Sequence, residues 1–228
     1  MRFLLLFVGL LFGANMLAAQ TPLIESSTRK AWQPNQQVRP ADFQAVPSAQ
    51  LRNLQQKAGL LTDSRISFSS VLDVPRRKRD RGPLLEKAYF AAIWLKDQSA
   101  TLTTDTAEMA KQQILFDLAE LSARKARRTL QALQDSTRAY GTAYIYYVTV
   151  ANQACALYHR QAEAYTKAIY IDNNPVAYAK WRKMVHLALQ ETAAYATSAQ
   201  DAQRLIDGKP VEPEYEQSPT VLGTLGCK

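Results

Sequence analysis

Residues 142–170 read T-A-Y-I-Y-Y-V-T-V-A-N-Q-A-C-A-L-Y-H-R-Q-A-E-A-Y-T-K-A-I-Y. Tyr146 to Val150 are aromatic or β-branched and, taken alone, favour a strand. The longer window decides otherwise. Tyr144, Val148, Ala151, Cys155, Tyr158, Ala162, Tyr165 and Ile169 recur in alternating steps of four and three, the repeat of one helix face. This predicts a helix over about 142–170. Ala151, Cys155 and Ala162 are small enough to let a second helix approach closely. The tyrosines of 140–147 are expected to pack this helix against a sheet; the alternative is an exposed binding surface.

The same repeat continues downstream. Asn174-Pro175 supplies a cap and a proline at a first helical position. Trp181, Val185, Ala188, Thr192, Tyr195, Ala199, Ala202 and Ile206 then predict one helix to Ile206, closed by Asp207-Gly208. Upstream, a helix is expected from Asp105 to about Asp135, with Asp105 and Glu108 spaced as a capping box and Ile114, Leu118 and Leu121 on one face.

The first half has a different character. Residues 65–74 alternate Ile66, Phe68 and Ser70 with small polar residues, as a strand does, and 87–96 read as a partner strand or a short helix. Residues 48–59 fit a short helix or a loop, and 32–47 carry three prolines and read as extended chain. The expected fold class is α+β: a small N-terminal β-sheet element followed by three long helices packed through their seams. A single domain is expected over 32–206, with a loose leader at 20–31 and a disordered tail at 207–228.

Arg2, the apolar run Phe3 to Phe12, and Ala18-Ala19 have the form of a secretory leader, with cleavage after Ala19 or Gln20. The run is short for a membrane span, and no cysteine stands at the cleavage site as a lipoprotein would need. The expectation is an exported protein, periplasmic or extracellular. Its net charge of +8 becomes +7 without Arg2. Export removes nucleic acid as a partner and leaves an acidic polysaccharide or an anionic membrane surface, or simply a solvated basic surface. The cations concentrate in Arg76, Arg77, Lys78, Arg79 and Arg81, between Pro75 and Gly82-Pro83. These are the binding candidates. The plain reading is a solvated loop between strands; a polyanion contact and a trypsin-like processing site are the functional ones.

Cys155 and Cys227 are the two cysteines. Export permits a bridge between them. The position of Cys155 on the helical seam favours a buried thiol instead. His159 lies one turn from Cys155, but no third orienting group marks a nucleophile. His159 and His186 are the two histidines, and each reads as a surface residue of a helix. Among the eight glycines there is no phosphate-binding loop, G-x-S-x-G is absent, and no cofactor is expected.

Residues 110–128 read A-K-Q-Q-I-L-F-D-L-A-E-L-S-A-R-K-A-R-R. They resemble the helix of a bacterial family of exported, zinc-dependent-protease-like proteins (domain of unknown function nine-two-two), approximately A-H-E-Q-G-H-F-D-I-A-E-I-x-A-R-K-x-R. Ala110, Gln113, Phe116, Asp117, Ala119, Glu120, Ala123, Arg124, Lys125 and Arg127 match, with Leu118 and Leu121 conservative. Trp32, Asp42-Phe43-Gln44, the segments 65–71 and 88–95, and Tyr170 followed by Trp181, Val185 and Leu189 are weaker echoes in the same order.

The resemblance implies a zincin-like active-site helix in degenerate form. His-Glu-x-x-His, which holds zinc and polarises water, is replaced here by Lys111, Gln112 and Leu115. The family's later histidine is missing from I-D-N-N-P-V-A at 171–177. Leu115 has no lone pair for a metal, the Lys111 ammonium repels a cation, and Gln112 accepts no proton. Asp117 and Glu120 are expected to anchor the helix to nearby arginines. The implied function is a non-catalytic relative that binds a protein or peptide partner in the cell envelope, its former cleft filled by Ile114 and Leu115 or reused. Two other readings are an envelope protein that oligomerises through its helix seams and, less favoured, a hydrolase using Lys111 and Gln112.

Overall fold

The computed structural model describes residues 24–220 and 225–227. The expected secretory leader, residues 1–19, lies outside them. No helix among the described residues is long and apolar enough to cross a membrane. In chain order the elements are β1 (Arg29–Ala31), α1 (Ala49–Ala58), β2 (Thr62–Asp63), β3 (Ile66–Pro75), β4 (Lys87–Leu95), β5 (Ala100–Thr101), α2 (Thr106–Thr137), α3 (Thr142–Thr166), α4 (Ala177–Glu191), α5 (Ala199–Asp207), β6 (Tyr215–Gln217) and β7 (Leu225–Gly226). The class is α+β, as expected.

The β3–β4 hairpin is the centre of an antiparallel sheet ordered β1-β4-β3-β6, with β7 also paired to β3. Phe68 stands opposite Ala92 and Ser70 opposite Phe90. Alternation sends Phe68, Leu72, Phe90, Ala92 and Trp94 into the main core with α2, α3 and α4. Val71, Tyr89, Ala91 and Ile93 face the other way and meet Ala202 and Leu205 of α5. Strand β4 is therefore covered on both faces. That is why its sequence is a continuous apolar run rather than an alternating one, and why the run alone left strand and helix open.

Helices α2 and α3 form close to their expected limits. Asp105 caps α2 by accepting from the Ala107 amide. Glu108 does not return to Asp105 to complete a capping box; it is buried and bonded elsewhere. In α3 the predicted seam holds from Ala151 through Tyr158, Tyr165 and Ile169, all buried against the main core. At its N-terminal end it rotates. Ala143 and Tyr147 are buried, and Tyr147 donates to the Ser70 hydroxyl at 2.9 Å, whereas Tyr144 and Val148 face outward. The buried seam residues thus pack inside the chain itself.

The single third helix is corrected. It is two helices, α4 and α5, broken at residues 192–198. Arg124 of α2 donates to the Leu189 carbonyl at 2.6 Å, and Arg127 to the Tyr195 carbonyl at 2.7 Å and the Thr197 hydroxyl at 3.1 Å. Side chains from α2 thus take carbonyls that a continuous helix would use itself. Ser198 and Asp201 then form a capping box that starts α5. The break lets α5 cross to the far face of the sheet, where Arg204 makes a bidentate, buried ion pair with Asp73 at 2.6 and 2.7 Å.

Three further expectations change. The tail is not disordered in its described part: Tyr215–Gln217 pairs with Asp73–Pro75, and Leu225–Gly226 with Ser69–Ser70. The leader segment closes on the sheet too, since Arg29–Ala31 pairs with Ile93–Leu95. Cys155 is not a free thiol; it is bridged to Cys227, with Cα atoms 5.6 Å apart.

Candidate functional site

Helix α2 carries two sets of side chains on opposite faces, because a residue advances about 100° around the axis. One face holds the expected zinc-protease positions. Gln112 is only 2 % exposed. Its amide nitrogen donates to Glu108 Oε1 at 3.0 Å and to the Tyr170 hydroxyl at 2.7 Å, while its oxygen accepts from the Ser64 hydroxyl at 2.7 Å. Glu108 Oε1 also accepts from Tyr170 at 2.5 Å and from Thr62 at 3.2 Å. Lys111 pairs with Glu108 Oε2 at 3.1 Å and lies over the Tyr170 ring. Leu115 packs against the main core.

Tyr170 comes from the π-helical turn Lys167–Ile171 that ends α3. Burial first, and then the charge of Glu108, push its phenol far above the ordinary range, so it remains a neutral donor. The donor set does not fit zinc: an ammonium, an amide committed to three bonds, and a leucine present no arrangement of lone pairs. The position is a closed polar plug.

The opposite face of α2 lines a cleft of about 760 Å³, bounded by the loop 37–40 and by α4. Its apolar floor includes Val38, Met109, Ile114 and Leu189, and its α4 wall carries Arg182, Lys183 and His186, with Arg39 across the opening. Among the described residues Arg182 and Lys183 make no ion pair. Asp117 is the acid of this cleft.

Asp117 Oδ1 accepts from Trp32 Nε1 and from Gln113 Nε2, both at 2.7 Å, and Gln113 in turn accepts from the Val38 amide at 2.8 Å. Burial is the larger influence and lifts the Asp117 carboxyl to about 6, against the opposing pull of the two hydrogen bonds. Behind it the Arg124 guanidinium sits 4.9 Å from the Trp32 ring centroid. Arg124 and Arg127 both pair with buried Glu120, at 2.8 and 3.0 Å.

Of the two acids expected to anchor the helix, Glu120 joins the arginines, while Asp117 faces the cleft and is held by Trp32. His186 lines the cleft and bonds Gln190 at 3.0 Å. His159 lies near Cys155 and Cys227, but the two sulfurs are joined to each other, which leaves no thiol nucleophile. Arg76, Arg77, Lys78 and Arg79 stand exposed at the hairpin tip, far in sequence from the cleft; Arg81 is half-buried and pairs with Glu216 at 3.7 Å.

No family model, curated protein or solved structure matches the chain.

The cleft went unseen in the sequence. Its wall combines α2 with residues from 37–40 and 178–189, and only the cation pair Arg182-Lys183 on an otherwise amphipathic helix hinted at it.

Proposed function

We propose that this is an exported, non-catalytic binding protein on a metalloprotease-like frame, and that it holds a peptide segment of a cell-envelope partner in the cleft between α2 and α4. The observation that carries the reading is the division of α2 between its faces. On one, Lys111, Gln112 and Leu115 are tied into a plug. On the other, an apolar floor is rimmed by Arg182 and Lys183, which make no ion pair among the described residues. That combination suits an extended peptide with an apolar side chain and a carboxylate, the side chain reaching the floor and the carboxylate meeting the rim. Kinship with the zinc-dependent-protease-like family rests on the retained frame at 110–128.

Two measurements test the proposal. Metal analysis and a peptidase assay of the purified protein should find neither tightly bound zinc nor turnover; one equivalent of zinc with peptidase activity overturns the non-catalytic reading. Peptide-array selection followed by titration should yield a carboxylate-bearing binder, and Arg182→Glu/Lys183→Glu should weaken it by about tenfold or more, as removal of charge-assisted contacts does. Unchanged affinity in that variant removes the cleft from the proposal.

A further inference from the structure

The basic hairpin tip and the N-terminal end of α3 lie together at one end of the molecule. Gln134 near the end of α2 donates to the Glu86 carbonyl, and the Gly141 amide, at the turn into α3, donates to Glu86 Oε1. Tyr140 precedes Gly141 in this turn; burial raises its phenol above the ordinary range, and the nearby Arg81 guanidinium opposes that rise. The tip is therefore folded beside the start of α3.

This end presents apolar and cationic groups side by side. Tyr144, Ile145 and Val148 are 44, 68 and 42 % exposed. Their i, i+1, i+4 spacing sets them on one outward face of α3, away from the Ala143–Tyr147–Ala151 face that is buried. Tyr146 flanks them and Leu84 of the hairpin is also exposed. On the hairpin Arg76, Arg77 and Lys78, and at the end of α2 Arg138, are exposed and make no ion pair among the described residues; Arg76 Nε donates to the Tyr215 carbonyl at 2.9 Å, which leaves its other guanidinium nitrogens for a ligand. Asp80 lies 3.7 Å from Arg79 and Glu216 3.7 Å from Arg81, so these acids are already engaged. Asp135, one turn before Arg138, and Glu214, whose carbonyl accepts from the Arg76 amide at 2.9 Å, are the nearby exposed acids that make no ion pair among the described residues, so the cations outnumber them.

We propose that this end of the molecule docks on an anionic lipid bilayer, with Tyr144, Ile145 and Val148 entering the headgroup region and Arg76, Arg77, Lys78 and Arg138 meeting lipid phosphates. Tyrosine suits that depth, with an apolar ring and a hydroxyl that stays hydrated. Aliphatic side chains add affinity for the acyl boundary, and each nearby cation adds attraction to an anionic surface. A soluble acidic polymer would use the cations and leave the apolar face in water, so the pairing of both favours the bilayer. The proposal is separate from the cleft and shares no residue with it.

Flotation of the purified processed protein with vesicles tests this. Binding to phosphatidylglycerol-containing vesicles should exceed binding to neutral phosphatidylcholine vesicles by about tenfold or more and fall with salt. Arg77→Glu/Lys78→Glu should weaken it by about tenfold or more. Ile145→Ser/Val148→Ser should weaken it on the same anionic vesicles without changing the thermal midpoint, since both side chains are exposed. Arg182→Glu/Lys183→Glu should bind vesicles like the parent. Equal binding to neutral and anionic vesicles overturns the proposal, as does undiminished binding of the Ile145/Val148 variant. So does binding to heparin with no binding to vesicles, which would assign the cations to a polysaccharide.

Discussion

Asp117 concentrates the tension of the cleft in one residue. Two donors hold its Oδ1, yet burial outweighs them and raises its carboxyl to about 6. The folded chain therefore holds this proton more tightly than the unfolded chain, whose aspartate titrates near the ordinary 3.8. The stability that protonation lends is complete below about pH 4 and is lost as pH rises through about 6, at most about 3 kcal/mol. Asp117→Asn keeps an oxygen for Trp32 and Gln113 but has no proton to lose. Denaturation of parent and variant between pH 4 and 8 should show the variant gaining on the parent as pH rises; a gap independent of pH would contradict the assignment. Glu120, three residues on, has a different place in the fold. It accepts from Arg124, Arg127 and Thr197, and serves structure rather than ligand. Glu120, Arg124 and Arg127 are thus residues that bind α2 to its neighbours, while Asp117 faces the cleft.

At the scale of elements, the sequence was most legible where one periodicity ran uninterrupted. The limits of β3 and α2 followed from alternation and from the helical repeat, whereas β4, covered on both faces, showed no alternation and its segment read as a strand or a short helix. The third helix failed for an instructive reason. Its apolar repeat continues across 192–198, but the backbone there is claimed by Arg124 and Arg127 of a helix more than sixty residues earlier. No local pattern reports such a claim. The start of α5 was readable, however, as Ser198 followed by Asp201, and the longer repeat masked it. Ser198 accepts from the Asp201 amide at 3.1 Å, and the Asp201 carboxylate accepts from the Ser198 amide at 3.0 Å. Ser198→Ala should therefore cost about 1 kcal/mol in chemical denaturation. It should also raise amide exchange across Ala199–Asp207 more than elsewhere. A uniform change along the chain would mean that α5 does not start independently at this cap.

Across the whole molecule the ends of the chain matter more than their composition suggested. Residues 207–228 are polar and rich in turn formers, which reads as disorder when judged alone. They are ordered where β3 offers an unpaired edge and where Asp73, through Arg204, fixes the neighbouring backbone; Arg204 also reaches Gln217 at 3.2 Å. The last described residue, Cys227, is buried in the main core, donates its amide to the Phe68 carbonyl at 3.1 Å, and is bridged to Cys155 on α3. The seam position that argued for a core thiol is correct about burial; it says nothing of a second sulfur arriving from the far end of the chain. The bridge spans a sequence separation of 72 residues, so it restricts the unfolded chain strongly, by up to about 4 kcal/mol in a chain-entropy account. The short strand β7 gives the tail few other holds, and without the bridge its docking must offset that entropy with two strand positions and one buried side chain. The double variant Cys155→Ser/Cys227→Ser leaves no odd thiol and should lose about 2–4 kcal/mol in denaturant titration. Reduction of the parent should produce a shift of the same size. If the double variant instead unfolds with the parent's midpoint while the segment after Gly208 becomes sensitive to protease, the tail folds as an appendage, and β3 keeps its place through β4 and the Arg204–Asp73 pair alone.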